Sequence, residues 1–237
     1  MNGLEPFALE EILQLAFREK ALLKEALTHK SYAAEAELNY DNQRLEFLGD
    51  AVLQIILTKH LFHRYPKLQE GDLTKIRSAL VNQTMLAKCA RTFQLGDYLL
   101  LGKGEIEQNG ADRDSTISDA FEALLGAIYL DQGEEAAQGF LKKVFEKVCP
   151  DPSRLLEELN PKGSLQEYTQ AHFGNRAPVY KVCSVTGPQH DPTYEVEVSL
   201  EGIFQAYGKA SNRKSAEQAA ASQALQFLRE QEKKEKE

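Results

Sequence analysis

The chain predicts two domains: an all-α unit over residues 1–149, then a small α+β unit ordered α-β-β-β-α over 161–230. Three observations carry this. Apolar residues recur at spacings of three and four from Pro6 to about Val148, as in LEEILQLAF, LTKIRSALVNQTMLAKCA and AAQGFLKKVFEKV, which is the period of an amphipathic helix. Pro150, Pro152 and Pro161 bracket a short helical piece, a composition suited to a linker over 150–160. Beyond it, two stretches alternate with period two before an alanine-rich helix closes the unit.

Within the first unit, turn signals fall at Tyr65-Pro66, at Gln69-Glu70-Gly71-Asp72 and in LGKGEIEQNGADRD (101–114). The last is long enough to be a mobile or functional loop. In the second unit, SLQEYTQAHF forms a short helix opened by Ser164. PVYKVCSVT and TYEVEVSL follow as strands; in the second, Tyr194, Val196, Val198 and Leu200 face one way and Glu195, Glu197 and Ser199 the other. Glu201-Gly202 turns into a third strand, IFQAYG. RKSAEQAAASQALQFLRE is a helix with Ala216, Ala220, Ala224 and Leu228 along one stripe. Residues 231–237 read as a charged, solvated tail.

Composition narrows the class. No run of eighteen apolar residues exists in the 237-residue chain, so no membrane span is expected. MNGLEPFALEEIL lacks the basic start and apolar core of an export signal. Cys89, Cys149 and Cys183 are far apart and odd in number, which suits reduced thiols in a cytoplasmic protein and no thiolate metal site. The formal net charge of −8 comes from residues 1–159, with 18 Lys and Arg against 26 Asp and Glu; residues 160–237 balance at 10 against 10. An acidic total does not exclude a nucleic-acid partner, because local basic clusters govern phosphate contact.

The residues most suggestive of chemistry are two acidic pairs in apolar helices. Glu46 and Asp50 lie at i and i+4 in NQRLEFLGDAVLQIIL, and Asp119 and Glu122 at i and i+3 in ISDAFEALLGAIYL. Such spacings place each pair on one helix face. On spacing alone, Gln43, Glu46, Asp50 and Gln54 also read as an ordinary solvated stripe. Charges held against an apolar body cost several kcal/mol unless neutralised, and Gly49 permits close approach of a backbone or ligand. Four carboxylates without a Cys/His cluster suit Mg²⁺, with Mn²⁺ as a substitute.

NQRLEFLGDAVL closely resembles the signature of bacterial ribonuclease III. The resemblance extends to LTHKSYA (27–33), YPKLQEGDLTKIRSALVN (65–82), LGKGE (101–105) and DAFEALLGAIYLDQG (119–133). The α-β-β-β-α portion resembles a double-stranded-RNA-binding domain, which follows the nuclease domain in that family. The likeness runs from about Leu4 to Leu228. It implies that Glu46, Asp50, Asp119 and Glu122 form the metal cluster, with Asp50 and Glu122 as the catalytic acids. Glu70 aligns with a further acid near the cleavage valley, or is a plain loop carboxylate. Gln43 departs from a common glutamate, leaving the four principal acids intact.

The expected activity is Mg²⁺-dependent hydrolysis of double-stranded RNA by in-line attack of cation-activated water, giving 5′-phosphate and 3′-hydroxyl ends. The resemblance further implies a homodimer whose two sites cut opposite strands to leave a short 3′ overhang, serving ribosomal-RNA and other transcript processing. Phe47 matches the position whose ring enters the partner subunit, whereas the residue pattern alone reads it as core. His29 reads as structural, since no serine or cysteine nucleophile accompanies it. Lys103 is either a phosphate contact or a solvated lysine. The alternatives are a non-cleaving RNA-binding regulator and a hydrolase of small phosphates.

A duplex binder must read shape, through minor-groove polar contacts and cations on phosphates. By resemblance, Gln166 and Glu167 make the first minor-groove contact and GPQH, ending in His190, reaches the second. Arg213 and Lys214, joined by Lys209, face phosphate at the start of the final helix. The plain alternative for Arg213 and Lys214 is a solvated helix start. Ala210 and Asn212 replace a common glycine and serine, from which altered loop geometry or affinity is expected.

Overall fold

A computed structural model describes residues 5–174, 176–188 and 190–234, without the side chains of residues 6, 156, 158, 233 and 234. Expectations placed on Leu4, on Gln189 within GPQH and on residues 235–237 of the tail lie outside the described residues. The chain divides into two units, Met1–Pro152 and Ser153–Glu237.

In the first unit, a 3₁₀ turn at Pro6–Ala8 precedes α1 (Leu9–Leu13), α2 (Lys20–Ala26), α3 (Lys30–Glu35), α4 (Gln43–Arg64), α5 (Glu70–Leu80) and α6 (Gln83–Arg91). A 3₁₀ turn at Leu95–Tyr98, α7 (Lys103–Glu107), another turn at Gly110–Asp112, α8 (Asp114–Gln132) and α9 (Glu134–Val148) complete it. Its centre is α8, where every residue from Thr116 to Ile128 is buried except Asp119 and Glu122. A helix apolar all round has to be enclosed by its neighbours. Phe121 supplies the middle of this core, its ring 5.5 Å from that of Phe140 on α9.

Two glycines decide how closely α4 and α8 meet. A Cβ on Gly49 would fall 1.8 Å from the backbone oxygen of Glu122, and one on Gly126 would fall 2.3 Å from that of Leu45. Residue 45 thus meets 126 and residue 49 meets 122, so the helices run in opposite directions through the contact. Backbone packs on backbone here, which brings any side chain flanking the glycines toward its counterpart on the other helix.

Helix ends follow local chemistry. α4 stops at Tyr65, immediately before Pro66, where α conformation is disfavoured. Asn82 caps α6, its side-chain oxygen accepting from the Met85 N–H at 2.8 Å. The 101–114 segment, expected as a mobile or functional loop, instead forms α7 and a 3₁₀ turn. Its backbone is tied down: the Gly102 N–H donates to Ser31 Oγ at 2.9 Å and the Lys103 N–H to Glu35 Oε1 at 2.8 Å. The glycines and polar residues that read as loop punctuation satisfy turns and caps inside a folded segment.

In the second unit, α10 (Arg154–Leu159) and α11 (Pro161–His172) precede β1 (Val179–Thr186), β2 (Thr193–Leu200), β3 (Phe204–Ala210) and α12 (Arg213–Lys234). The antiparallel sheet has order β1-β2-β3, with a register irregularity between Val182 and Ser184. Val196, Val198 and Leu200 are buried, as the alternation predicts. α11 begins three residues before Ser164, because Asn160 caps it by accepting from the Gly163 N–H at 3.3 Å and Pro161 takes the first helical position. Helix α12 lays its alanine stripe on β3; a Cβ on Gly208 would fall 2.4 Å from the Ala216 oxygen. The helix continues to Lys234, into the segment expected as a solvated tail.

The YLDQG end of α8 has a structural task. Asp131 accepts backbone N–H groups from Arg18 at 2.9 Å and Glu19 at 2.8 Å, and Gln132 Nε2 donates to the Ala16 carbonyl at 2.8 Å. Desolvation opposes the charged form, but these two N–H groups and Gln132 outweigh it and hold the Asp131 carboxyl below its ordinary range. Asp131→Ala is expected to cost about 1 kcal/mol, the order of a lost helix cap, lowering the melting temperature by about 2–4 °C. A lowered folded-state pKa stabilises above the unfolded value and ceases to do so as the carboxylate protonates. The deficit therefore shrinks in acid, which thermal melts across a pH series check.

Candidate functional site

The α4–α8 contact gathers the acids. Glu46 lies one turn before Gly49, Glu122 one turn before Gly126, and Asp119 one turn earlier on α8. One carboxylate oxygen from each of Glu46, Asp119 and Glu122 falls within 4.8 Å of the others. Asp50 is exposed outside this tight group and accepts a long hydrogen bond from Gln54 Nε2 at 3.4 Å. Among the described residues, none of the four acids forms an ion pair.

The electrostatics follow from this crowding. Burial pushes the Glu122 carboxyl up to about 8, helped by the charges of Asp50, Glu46 and Asp119 in that order. Burial and then Asp119 raise Glu46, and burial raises Asp119. Pulling Asp119 the other way are the Ser118 hydroxyl at 3.3 Å and the charges of His29 and Lys30. Half-buried carboxylates at this separation repel one another, and among the described residues no cation is ion-paired with them. An all-oxygen donor set of this kind fits a hard divalent cation such as Mg²⁺ or Mn²⁺, which also retains water.

The other nuclease-unit candidates are not members of the carboxylate cluster. His29 caps α3: its Nδ1 lies 2.7 Å from Ser31 Oγ and accepts from the Ser31 N–H at 3.3 Å. Burial lowers its pKa. Glu70 is exposed at the first position of α5, accepting from Thr74 Oγ1 at 2.9 Å. Gln43 and Lys103 are exposed at the starts of α4 and α7. A groove of about 880 Å³ lined by Ile56, His60, Arg64, Leu141 and Phe145 includes none of the four acids.

Phe47 corrects the reading of the bare pattern, which made it core. It is 83% exposed, and Ile55 and Phe62 are exposed on the same helix at 54% and 65%. Leu45, Val52, Leu53, Ile56, Leu57 and Leu61 take the buried side. Sequence reasoning missed Ile55 and Phe62 because an apolar residue in an apolar helix reads as core. The available signal was excess: α4 carries more large apolar residues than one buried face can hold. It also missed Lys30, whose charge favours the ionised forms of Glu46 and Asp119.

In the second unit, Gln166 and Glu167 are exposed on α11, and His190 is exposed between β1 and β2. Lys209 pairs with Glu195 Oε1 at 3.1 Å across the β2–β3 ladder. At the start of α12, Arg213 Nε donates to Glu217 Oε1 at 2.9 Å, while Lys214 is exposed. Asn212 accepts from the Ser215 N–H at 2.8 Å, so it caps the helix as a serine there would. Ala210 closes β3 opposite Tyr194.

No helix among the described residues is long and apolar enough to cross a membrane. The family model for Ribonuclease-III-like proteins matches residues 19–148, and that for the double-stranded RNA binding motif matches 161–228. The chain is 41% identical to Ribonuclease 3 of a Nitratiruptor species over 97% of its own length and 98% of that protein. It is 46% identical to Ribonuclease 3 of Symbiobacterium thermophilum over 91% of each. The nuclease domain of ribonuclease III from Campylobacter jejuni, solved in work on flexibility in its region involved in dimer formation, superposes with a TM-score of 0.57 at 45% identity. That match covers 60% of this chain and 97% of the other. With an all-helical nuclease unit that gathers carboxylates between two crossed helices, followed by an α-β-β-β-α RNA-binding motif, the chain belongs to the ribonuclease III family of endoribonucleases.

Proposed function

We propose that this chain is a Mg²⁺-dependent endoribonuclease hydrolysing phosphodiester bonds of double-stranded RNA, with Glu46, Asp50, Asp119 and Glu122 as its metal-holding acids. The observation that carries the reading is the unneutralised convergence of Glu46, Asp119 and Glu122 oxygens within 4.8 Å. A bound Mg²⁺ or Mn²⁺ supplies Lewis acidity toward a phosphate oxygen and lowers the pKa of water. Asp50, more exposed than its companions, is suited to orient the attacking water and accept its proton. Glu122, whose carboxyl is raised furthest by burial and its acidic neighbours, is the acid whose ionised form a bound cation would stabilise most. Attack in line forms the new P–O bond as the P–O3′ bond breaks, leaving the phosphate on the 5′ end, while the departing O3′ takes a proton from solvent water to become the 3′ hydroxyl.

The second unit delivers the duplex. In this proposal Gln166 and Glu167 read one minor groove by its 2′-hydroxyls, His190 reaches a second, and Lys209, Arg213 and Lys214 meet phosphates between them. All six are exposed. The exposed stripe of Phe47, Ile55 and Phe62 supports a homodimer, since apolar surface of this kind is costly to leave in water. Two sites then cut opposite strands and leave a short 3′ overhang. Precursors of ribosomal RNA and other structured transcripts in the cytoplasm are the substrates this reading assigns. The four intact acids favour cleavage over binding alone.

Glu122→Gln is expected to lower duplex cleavage in Mg²⁺ more than about 100-fold while duplex affinity in Ca²⁺ stays unchanged. Cleavage at the wild-type rate would remove Glu122 from the reaction. The same variant has a stability signature in metal-free protein. A carboxyl raised from 4.5 to about 8 on folding holds its proton longer in the folded state, so stability falls as pH rises through that window. Glu122→Gln lacks this loss, so its melting temperature is expected to exceed wild type by about 2–4 °C at the alkaline end and to converge with it in acid. Phe47→Glu is expected to weaken self-association at least about 30-fold, the order of a lost interface hot spot. Sedimentation velocity reads this directly, and an unchanged dimer would rule out the α4 stripe as the interface.

A further inference from the structure

Glu217 is a buried carboxylate, 9% exposed, on a helix whose neighbouring cations face solvent. Both of its oxygens are engaged by cations from different helices. Lys162 Nζ on α11 reaches Oε2 at 2.6 Å, and Arg213 Nε reaches Oε1 at 2.9 Å. Lys162 Nζ also lies 4.5 Å from the centre of the Tyr180 ring on β1. The carboxylate is thus anchored from the α11 and sheet side, and it in turn holds Arg213. Lys162 and Arg213 keep it ionised despite its burial.

The atom through which Arg213 is held matters. Nε is the inner nitrogen of the guanidinium, and among the described residues Nη1 and Nη2 make no hydrogen bond. The side chain remains 66% exposed. An arginine held at Nε keeps its outer pair of donors in a plane of fixed direction, the fork that matches two oxygens of a phosphate. Lysine has no equivalent, because its three donors sit on one rotatable ammonium and form no planar fork of fixed direction.

We propose that Glu217 is a positioning residue for RNA binding, which fixes the Arg213 guanidinium so that Nη1 and Nη2 meet a duplex phosphate. This rests on the reading of Arg213 as a phosphate contact. Lys162 is the anchor of the device and does not itself meet RNA. Orientation and charge make opposite demands here. Removing a carboxylate beside the binding surface raises the local positive charge, which by charge alone tightens binding to a polyanion. Loss of orientation weakens it, because a mobile arginine must be ordered on binding.

The test is affinity of the full chain for a blunt RNA duplex of about 20 base pairs, long enough for the roughly 16 that such a motif spans. Ca²⁺ replaces Mg²⁺ to prevent cutting, and salt is varied. Glu217→Gln is expected to weaken binding about three- to tenfold despite its added positive charge, and to have no such effect in an Arg213→Ala background. Arg213→Lys, which keeps the charge and replaces a side chain that is itself exposed, is expected to show a similar loss. Tighter binding by Glu217→Gln, an equal loss in the Arg213→Ala background, or wild-type affinity in Arg213→Lys would each overturn the proposal. Arg213→Ala alone is expected to reduce the salt slope by about one; an unchanged slope and affinity would instead remove the underlying reading of Arg213.

Discussion

Two backbones pressed together at Gly49 and Gly126 set the conditions for everything at the acid site. Neither position has room for a methyl group, since a Cβ would fall 1.8 Å from the Glu122 oxygen at one and 2.3 Å from the Leu45 oxygen at the other. Because α4 and α8 meet so closely, Glu46 and Glu122, each one turn from its glycine, and Asp119, one turn further along α8, occupy the same few ångströms. Wider packing would leave two ordinary polar stripes, each hydrated separately. The core around Phe121 and the burial of α8 on nearly all sides hold that crossing in place.

Proximity of this kind is unfavourable in the protein alone. Burial raises Glu46, Asp119 and Glu122, neighbouring carboxylates push Glu46 and Glu122 further, and the nearby cation Lys30 tempers Glu46 and Asp119. Carboxylates concentrated in this way, with no ion-paired cation among the described residues, are consistent with a site for a divalent cation. The second unit shows the opposite solution. There Glu217 is fully engaged by Lys162 and Arg213, and its charge serves to hold a guanidinium outward.

Much of this was legible before the fold was known, for identifiable reasons. The alternation in TYEVEVSL and the alanine stripe of the last helix have periods that only one structure satisfies, and both appear where expected. The two acidic pairs were visible because charge interrupts an apolar run, which is how Asp119 and Glu122 stand out within buried α8. Gly49 was visible as a point of close approach, but its partner Gly126 was not, since one sequence does not say which helices cross. Asp50's separation from the tight triad also depends on that crossing.

Other features resisted sequence reasoning because one residue type serves two ends. An apolar side chain such as Phe47 or Phe62 looks the same whether it fills a core or awaits a partner. Glycines in 101–114 read as flexibility, although hydrogen bonds from Gly102 and Lys103 to Ser31 and Glu35 make the segment part of the fold. Asn160 and Pro161 start α11 earlier than Ser164 because a cap and a preset backbone angle outrank amphipathic pattern at a helix end. The measurement that bears most directly on the account is incubation of the wild-type protein with an end-labelled RNA duplex, with and without Mg²⁺. Strand scission only in Mg²⁺, leaving 5′-phosphate ends, is the result the converging carboxylates require. A shifted but uncut duplex under both conditions would contradict it.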